Sequence, residues 1–205
     1  MNATWLKQTG ACDLIVVFGG WGLGPEPFSA LSGPQDILFF DDYRHLDAPA
    51  PSRATYTSFT VFSYSFGVAS ALHWLESTGF FPDRLIAVNG TPYPADAERG
   101  IAPDMIAATA NNLTDASFSR FCRRAGLTTP ATLDIAARQE ELRAIANRGS
   151  AKPRKFDRIW ISSKDRIIPT HAQRTAWADQ SDQVQEIDAQ HMPFAGGQSW
   201  EGWLT

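Results

Sequence analysis

Cysteine is scarce in this chain: Cys12 and Cys122 are the two in 205 residues. They stand far apart and form no metal-ligand spacing, so they read as two free thiols of a cytosolic protein. Long apolar runs are missing as well, and no stretch approaches the length of a membrane-spanning helix. The opening residues, Met1 to Gly10, lack both the basic end and the apolar centre of a signal peptide, so a cytoplasmic location is expected. Positive charge is in short supply: the net charge is −4 and the isoelectric point about 5.5, which argues against a nucleic-acid binder as a whole. There is no internal repeat and no low-complexity tract. What remains is a chain long enough to bury one sizeable core, and a single domain is expected.

Short apolar runs alternate with longer helix-like segments, the pattern of an α/β fold with a mostly parallel sheet and helices on both faces. Leu14 to Phe18 carries no polar residue, as expected for a strand covered on both sides. Ile37 to Phe40, Phe59 to Phe62, Leu85 to Val88 and Ile159 to Ser162 follow as strands, with Val184 to Ile187 a weaker one near the sheet edge. Helices are expected after Ser65, Pro169 and Met192. From about 91 to 153 no strand pattern occurs. Pro130 after Thr129 suits a helix start, and Gly149 suits its end. Leu133, Ala136, Ala137, Leu142 and Ile145 fall on one face of that helix. A helical insertion after the Leu85 to Val88 strand sits over the C-terminal ends of the sheet, where open α/β sheets bind ligands, and reads as a cap.

The segment Ser63-Tyr64-Ser65-Phe66-Gly67 joins the strand ending at Phe62 to a helix-like run from Val68 to Leu75. A serine on a sharp strand-to-helix turn is how an α/β-hydrolase exposes its nucleophile. Small residues normally flank it as Gly-x-Ser-x-Gly; here Ser63 stands in the first glycine position. A serine hydroxyl needs an adjacent base, and that base needs an orienting acid. The chain supplies them in the order this fold uses: Asp165 follows one strand and His191 follows the last. Taken alone, Asp165 also fits a turn or cap, and His191 a surface loop. His45, His73 and His171 are the competitors, and only His191 comes late in the chain after a final strand.

Gly19-Gly20-Trp21-Gly22-Leu23-Gly24 follows the first strong strand. It reads either as a flexible turn or as a place where backbone approaches substrate closely, with Gly20 beside it and the Trp21 and Phe66 N–H groups as oxyanion donors. It lacks the Gly-Lys-Ser/Thr ending of a phosphate loop, and its glycines miss the dinucleotide spacing because position 25 is proline.

With these segments together, the chain resembles the BioG-type pimeloyl-[acyl-carrier protein] methyl ester esterases over nearly its full length. The resemblance rests on Phe18-Gly19-Gly20-Trp21-Gly22, Phe40-Asp41-Asp42-Tyr43-Arg44, Ser63 to Gly67, Asn89-Gly90-Thr91 and Asp165-Arg166-Ile167-Ile168-Pro169. It implies a compact α/β-hydrolase of biotin synthesis that removes the methyl ester from pimeloyl-acyl carrier protein. Ser65 would be the nucleophile, His191 the base and Asp165 its orienter, with no metal and no organic cofactor.

Charge is unevenly spread. Ser117 to Arg158 holds ten Lys/Arg and four Asp/Glu, +6 in a chain of net −4. A basic insertion on an acidic body suits a strongly acidic partner, and acyl carrier proteins are such partners. Arg120, Arg123 and Arg124 together with Lys152, Arg154 and Lys155 are the expected docking cluster. A broad short-chain esterase or a thioesterase on the same fold, and a non-catalytic carrier-binding module, remain as alternatives.

Overall fold

The computed structural model describes residues 1–127 and 134–205. Seven strands, β1 Asn2–Lys7, β2 Asp13–Phe18, β3 Asp36–Asp41, β4 Ser58–Tyr64, β5 Arg84–Val88, β6 Arg158–Ser162 and β7 Val184–Ile187, make one sheet. Their spatial order is β1-β3-β2-β4-β5-β6-β7. Every neighbouring pair is parallel except β1 with β3. The six strands expected from apolar runs are β2 to β7, and Val184–Ile187 is indeed an edge. Strand β1 is an addition. Asn2 to Trp5 are exposed on the other edge, so no apolar run announces them.

Along β2 the side chains alternate between two cores. Leu14, Val16 and Phe18 pack on one side and Ile15 and Val17 on the other, as a doubly covered strand requires. Helix α2 (Gly67–Thr78) covers the first side with Val68, Leu72, Trp74 and Leu75. Helices α1 (Glu26–Ser29) and α7 (Trp200–Leu204) cover the second with Phe28, Trp200 and Trp203. Phe18, Phe40 and Trp74 meet with ring centroids 5.1 to 5.6 Å apart. Each such pair adds about 0.5–1.5 kcal/mol beyond its buried area, and together they fix β2, β3 and α2 relative to one another.

Between β5 and β6 lie α3 (Pro103–Asn111), α4 (Asp115–Ala125) and α5 (Ile135–Arg148). Thr114 and Ser117 close a capping box at the start of α4, and Asp134 caps α5 through Ala137 N–H. Helix α5 ends at Gly149, with φ 73°, as expected; Leu142 and Ile145 are buried. The expected start at Thr129 and Pro130, and Leu133, lie outside the described residues. Helix α6 (Thr170–Ala176) follows Pro169 as expected. The helix expected after Met192 is α7, and it starts only at Trp200. Pro193 has no N–H to contribute and Gly197 sits at φ 85°, so the chain turns instead, and α7 begins only where Ser199 caps it. Among the described residues no helix is long and apolar enough to cross a membrane.

Candidate active site

Strand β4 ends at Tyr64, α2 starts at Gly67, and Ser65 between them sits at φ 57°, in the left-handed region that L-residues rarely occupy. Strain of this kind persists only where surroundings impose it. Here they do. A Cβ on Gly67 would stand 2.4 Å from the carbonyl oxygens of both Phe18 and Gly19, and one on Gly90 would stand 2.2 Å from the Ser65 carbonyl oxygen. Ser63 is accommodated in place of glycine because its hydroxyl donates to the Ile86 carbonyl at 2.9 Å, in the fully buried β4–β5 contact.

The loops after β6 and β7 deliver the expected partners. Ser65 Oγ lies 3.0 Å from His191 Nε2, and His191 Nδ1 lies 2.7 Å from Asp165 Oδ2. Asp165 is fixed from both sides. Its Oδ1 accepts from Ile167 and Ile168 N–H, and its Oδ2 also accepts from Gln173 Nε2 at 2.9 Å. All three relay residues are nearly inaccessible, and the His191 ring packs 5.1 Å from the Tyr64 ring. Burial pushes the Tyr64 phenol well above its usual range, and the nearby Asp165 charge adds to this. A hydroxyl donating to an imidazole whose other nitrogen donates to a carboxylate is a geometry that can activate the hydroxyl for attack on a carbonyl carbon. The competing histidines are elsewhere: His45 and His171 are exposed, and His73 Nε2 faces the Gly149 carbonyl at 3.2 Å.

The glycine run passes directly over Ser65. A Cβ on Gly20 would meet the Tyr64 ring at 2.8 Å and Ser65 Cβ at 3.3 Å, so only glycine fits without displacement. No described residue accepts a hydrogen bond from the Trp21 or Phe66 backbone N–H, which leaves both donors unspent. The Phe40-to-Arg44 stretch supports this loop from below. Tyr43 is fully buried and its hydroxyl donates to the Gly19 carbonyl at 2.7 Å. The Trp21 side chain ties the loop to the insertion. Its Nε1 donates to the Arg138 carbonyl at 2.8 Å, and its ring packs edge-on against Phe118 and Phe121 of α4. Helix α5 is held in turn by Glu141, buried, which accepts from Tyr43 N–H and Arg138. Burial raises the Glu141 carboxyl above the usual range, against the pull of Arg138.

Beside Ser65 is a cavity of about 90 Å³ whose walls include Trp21, Ile101, Ile106, Phe121, Leu142 and Arg124. That is far below the roughly 300–1,000 Å³ of a site for a drug-sized molecule, so the space suits a slim chain. Met105, at 56% exposure, forms part of its rim.

The expected docking cluster is split by the fold. Arg120, Arg123 and Arg124 lie exposed on α4; Arg124 lines the cavity and also donates to the Arg166 carbonyl in the Asp165 loop at 2.7 Å. Lys152, Arg154 and Lys155 lie on the segment leading into β6, which crosses from one end of the strands to the other: Ala151 N–H, just before it, donates to the Pro92 carbonyl beyond β5, and Phe156 N–H, just after it, donates to Gln180 ahead of β7. The Arg154 carbonyl accepts from Gln180, ahead of β7, and its guanidinium stacks over Phe81, ahead of β5. The parallel strand direction separates what the sequence placed within one basic stretch. Four further cations of that stretch have partners within the chain: Arg138 on Glu141, Arg143 on Asn111 at the surface, Arg148 on the Tyr43 carbonyl and Arg158 over the Trp160 ring. Gln173, Tyr43 and Asn89 also contact the site's residues or the glycine loop. Gln173 carried no signal beyond its place in the helix after the acid, whereas Tyr43 and Asn89 lay within the stretches that carry the resemblance.

The model of the family described as "Pimeloyl-ACP methyl esterase BioG" matches residues 1–203. A protein of Bacteroides fragilis named malonyl-[acyl-carrier protein] O-methyltransferase is 33% identical over 192 residues, 87% of this chain but 39% of that protein. The chain therefore spans well under half the length of that curated relative. The crystal structure of BioG from Haemophilus influenzae superposes with a TM-score of 0.88 at 26% identity, covering 100% of both chains. An α/β hydrolase fold protein from Burkholderia ambifaria, 15% identical, shares the fold with a TM-score of 0.62 over 95% of this chain and 89% of that one.

Proposed function

The chain belongs to the BioG family of pimeloyl-ACP methyl esterases, and from that membership we propose that it hydrolyses the methyl ester of a pimeloyl group carried on acyl carrier protein, releasing methanol. The observation that carries this reading is the buried Ser65–His191–Asp165 relay opening on a narrow, mainly apolar cavity. Ser65 Oγ attacks the ester carbonyl carbon while His191 Nε2 takes its proton. The oxyanion that develops is met by the Trp21 and Phe66 N–H groups; removing one such donor typically costs about 10²–10³ in rate. The tetrahedral adduct collapses, methoxide takes the proton from His191, and methanol leaves an acyl group on Ser65. Water then repeats the cycle with His191 as base, and the free pimeloyl carboxylate departs. Asp165 accepts from Nδ1–H and so holds the imidazole in the tautomer that leaves Nε2 free to take the proton.

Helices α3 to α5 act as a cap that covers the acyl methylenes, and the exposed arginines of α4 face the acidic carrier. The Bacteroides fragilis relative strengthens the carrier reading. It is named for methylating malonyl-acyl carrier protein, and the region like this chain makes up 39% of it. That juxtaposes putting a methyl group on a carrier-bound carboxylate with taking one off.

Two hydrolysable bonds exist in this substrate: the methyl ester at one end and the carrier thioester at the other. Incubating pimeloyl-acyl carrier protein methyl ester with the protein and weighing the carrier by mass spectrometry separates them. Loss of 14 mass units, methyl replaced by hydrogen, supports the proposal; loss of the whole acyl group makes the protein a thioesterase instead.

A further inference from the structure

We propose that Asn89 is a positioning residue for the relay: its carboxamide holds the His191 backbone against the end of β6, so that Nε2 stays within reach of Ser65. The proposal rests on the relay reading above. Asn89 follows β5 directly, is 1% exposed, and sits at φ 48°, a conformation asparagine tolerates better than most residues. Its backbone N–H donates to the Trp160 carbonyl at 2.9 Å. Its side chain is fully engaged. Oδ1 accepts from Ser162 N–H at 2.7 Å, and the two Nδ2 hydrogens go to Ser162 Oγ at 2.8 Å and the His191 carbonyl at 2.7 Å. Turning the amide over would set NH₂ against N–H, so the network itself fixes its orientation.

These bonds join three loops that are remote in sequence. Ser162 ends β6, and its carbonyl accepts from Asp165 N–H at 3.2 Å, so the same residue anchors the acid's turn. His191 arrives from the loop after β7, 26 residues beyond Asp165. Its neighbour Met192 is held by a backbone bond to the Ala125 carbonyl of α4, but the His191 carbonyl itself is buried and is met by Asn89. Without Nδ2 that carbonyl is left unpaired, which favours a shift of the loop. The imidazole that must stay between Oδ2 at 2.7 Å and Oγ at 3.0 Å moves with it.

Asn89→Gly tests this while tolerating the positive φ, so that the amide alone is removed. Asn89→Asp keeps the shape and the acceptor for Ser162 N–H but carries no donor for His191 when ionised, and it serves if the glycine variant does not fold. Turnover of p-nitrophenyl acetate is measured at a temperature where circular dichroism reports each variant folded. The expected result is a kcat lowered about 10- to 100-fold with KM within twofold, as for a small misplacement of a reacting group. The downfield proton resonance of His191 Nδ1–H, present in the parent and absent in Asp165→Asn, is expected to broaden or vanish. A folded variant with parental kcat and an intact resonance overturns the proposal. Failure of the parent itself to react with a fluorophosphonate at Ser65 overturns the relay reading instead, and this one with it.

Discussion

Replacing Gly67 with alanine is expected to disable Ser65 while leaving most of the fold in place. The added Cβ would stand 2.4 Å from the carbonyl oxygens of both Phe18 and Gly19, where an ordinary contact begins near 3.4 Å, so something must move by about 1 Å. Neither obstacle is a flexible side chain. Phe18 ends β2 and Gly19 opens the loop carrying Trp21, so the strain falls on the first turn of α2, and with it Ser65, or on the glycine loop. A displacement of about 1 Å in a reacting group costs on the order of 100-fold in rate. Overpacking costs about 1–3 kcal/mol. Two rigid contacts argue for the upper end, a melting temperature lower by roughly 5–10 °C for a chain of this size. Gly79→Ala is the control. Unlike Gly67 it sits at positive φ, 65°, but it has nothing within 4 Å of a Cβ, so it is expected to lose about 1–2 kcal/mol of stability and no activity. The assay is the rate of Ser65 labelling by a fluorophosphonate, with thermal melts of both variants. Labelling of Gly67→Ala within threefold of the parent refutes the reasoning, whatever its stability.

Asp165→Asn keeps the bulk but favours the wrong imidazole tautomer, so kcat on a small ester is expected to fall by about 10⁴ with KM little changed. Charge reversal of Arg120 and Arg123 together is expected to raise KM for the carrier-bound ester roughly tenfold, about 1.4 kcal/mol, and to leave p-nitrophenyl acetate turnover unchanged; the same reversal at Lys152 and Lys155 is expected to change neither. Buried Asp36 has its carboxyl pushed up by burial, but donors from Thr9, Tyr56 and Gly10 outweigh this and hold it below the usual range. A lowered carboxyl contributes stability above its unfolded pKa, and that contribution is lost as pH falls through the folded one. Urea unfolding of Asp36→Asn is therefore expected to show about 2–3 kcal/mol less stability than the parent at neutral pH, with the gap narrowing toward acid pH.

Much of this architecture was legible because it depends on short-range pattern. The apolar runs marked β2 to β6, since a strand buried on both faces carries few polar residues, while the edge strand β7 was marked only by Val184 and Ile187; the serine turn stood out because the strand-to-helix turn needs small residues at positions 63 and 67. Three features escaped for physical reasons. Strand β1 lies exposed on the sheet edge, and its antiparallel pairing with β3 is a long-range choice that composition does not reveal. The helix after Met192 starts later than the sequence suggests, because Pro193, Gly196 and Gly197 turn the backbone before Ser199 caps it. The basic stretch read as one surface because the sequence does not show that the chain runs from the Ser65 end of the strands to the opposite end between Gly149 and Arg158. Roles such as those of Asn89 and Gln173 depend on which loops the sheet order brings together, and they became readable only in three dimensions.

The most direct test of the account is methanol release from pimeloyl-acyl carrier protein methyl ester by the purified protein, run beside Ser65→Ala. The account expects stoichiometric methanol from the parent and none above background from the variant. Release that persists in Ser65→Ala would contradict the relay, and a parent that cleaves small esters but not this one would contradict the assigned substrate.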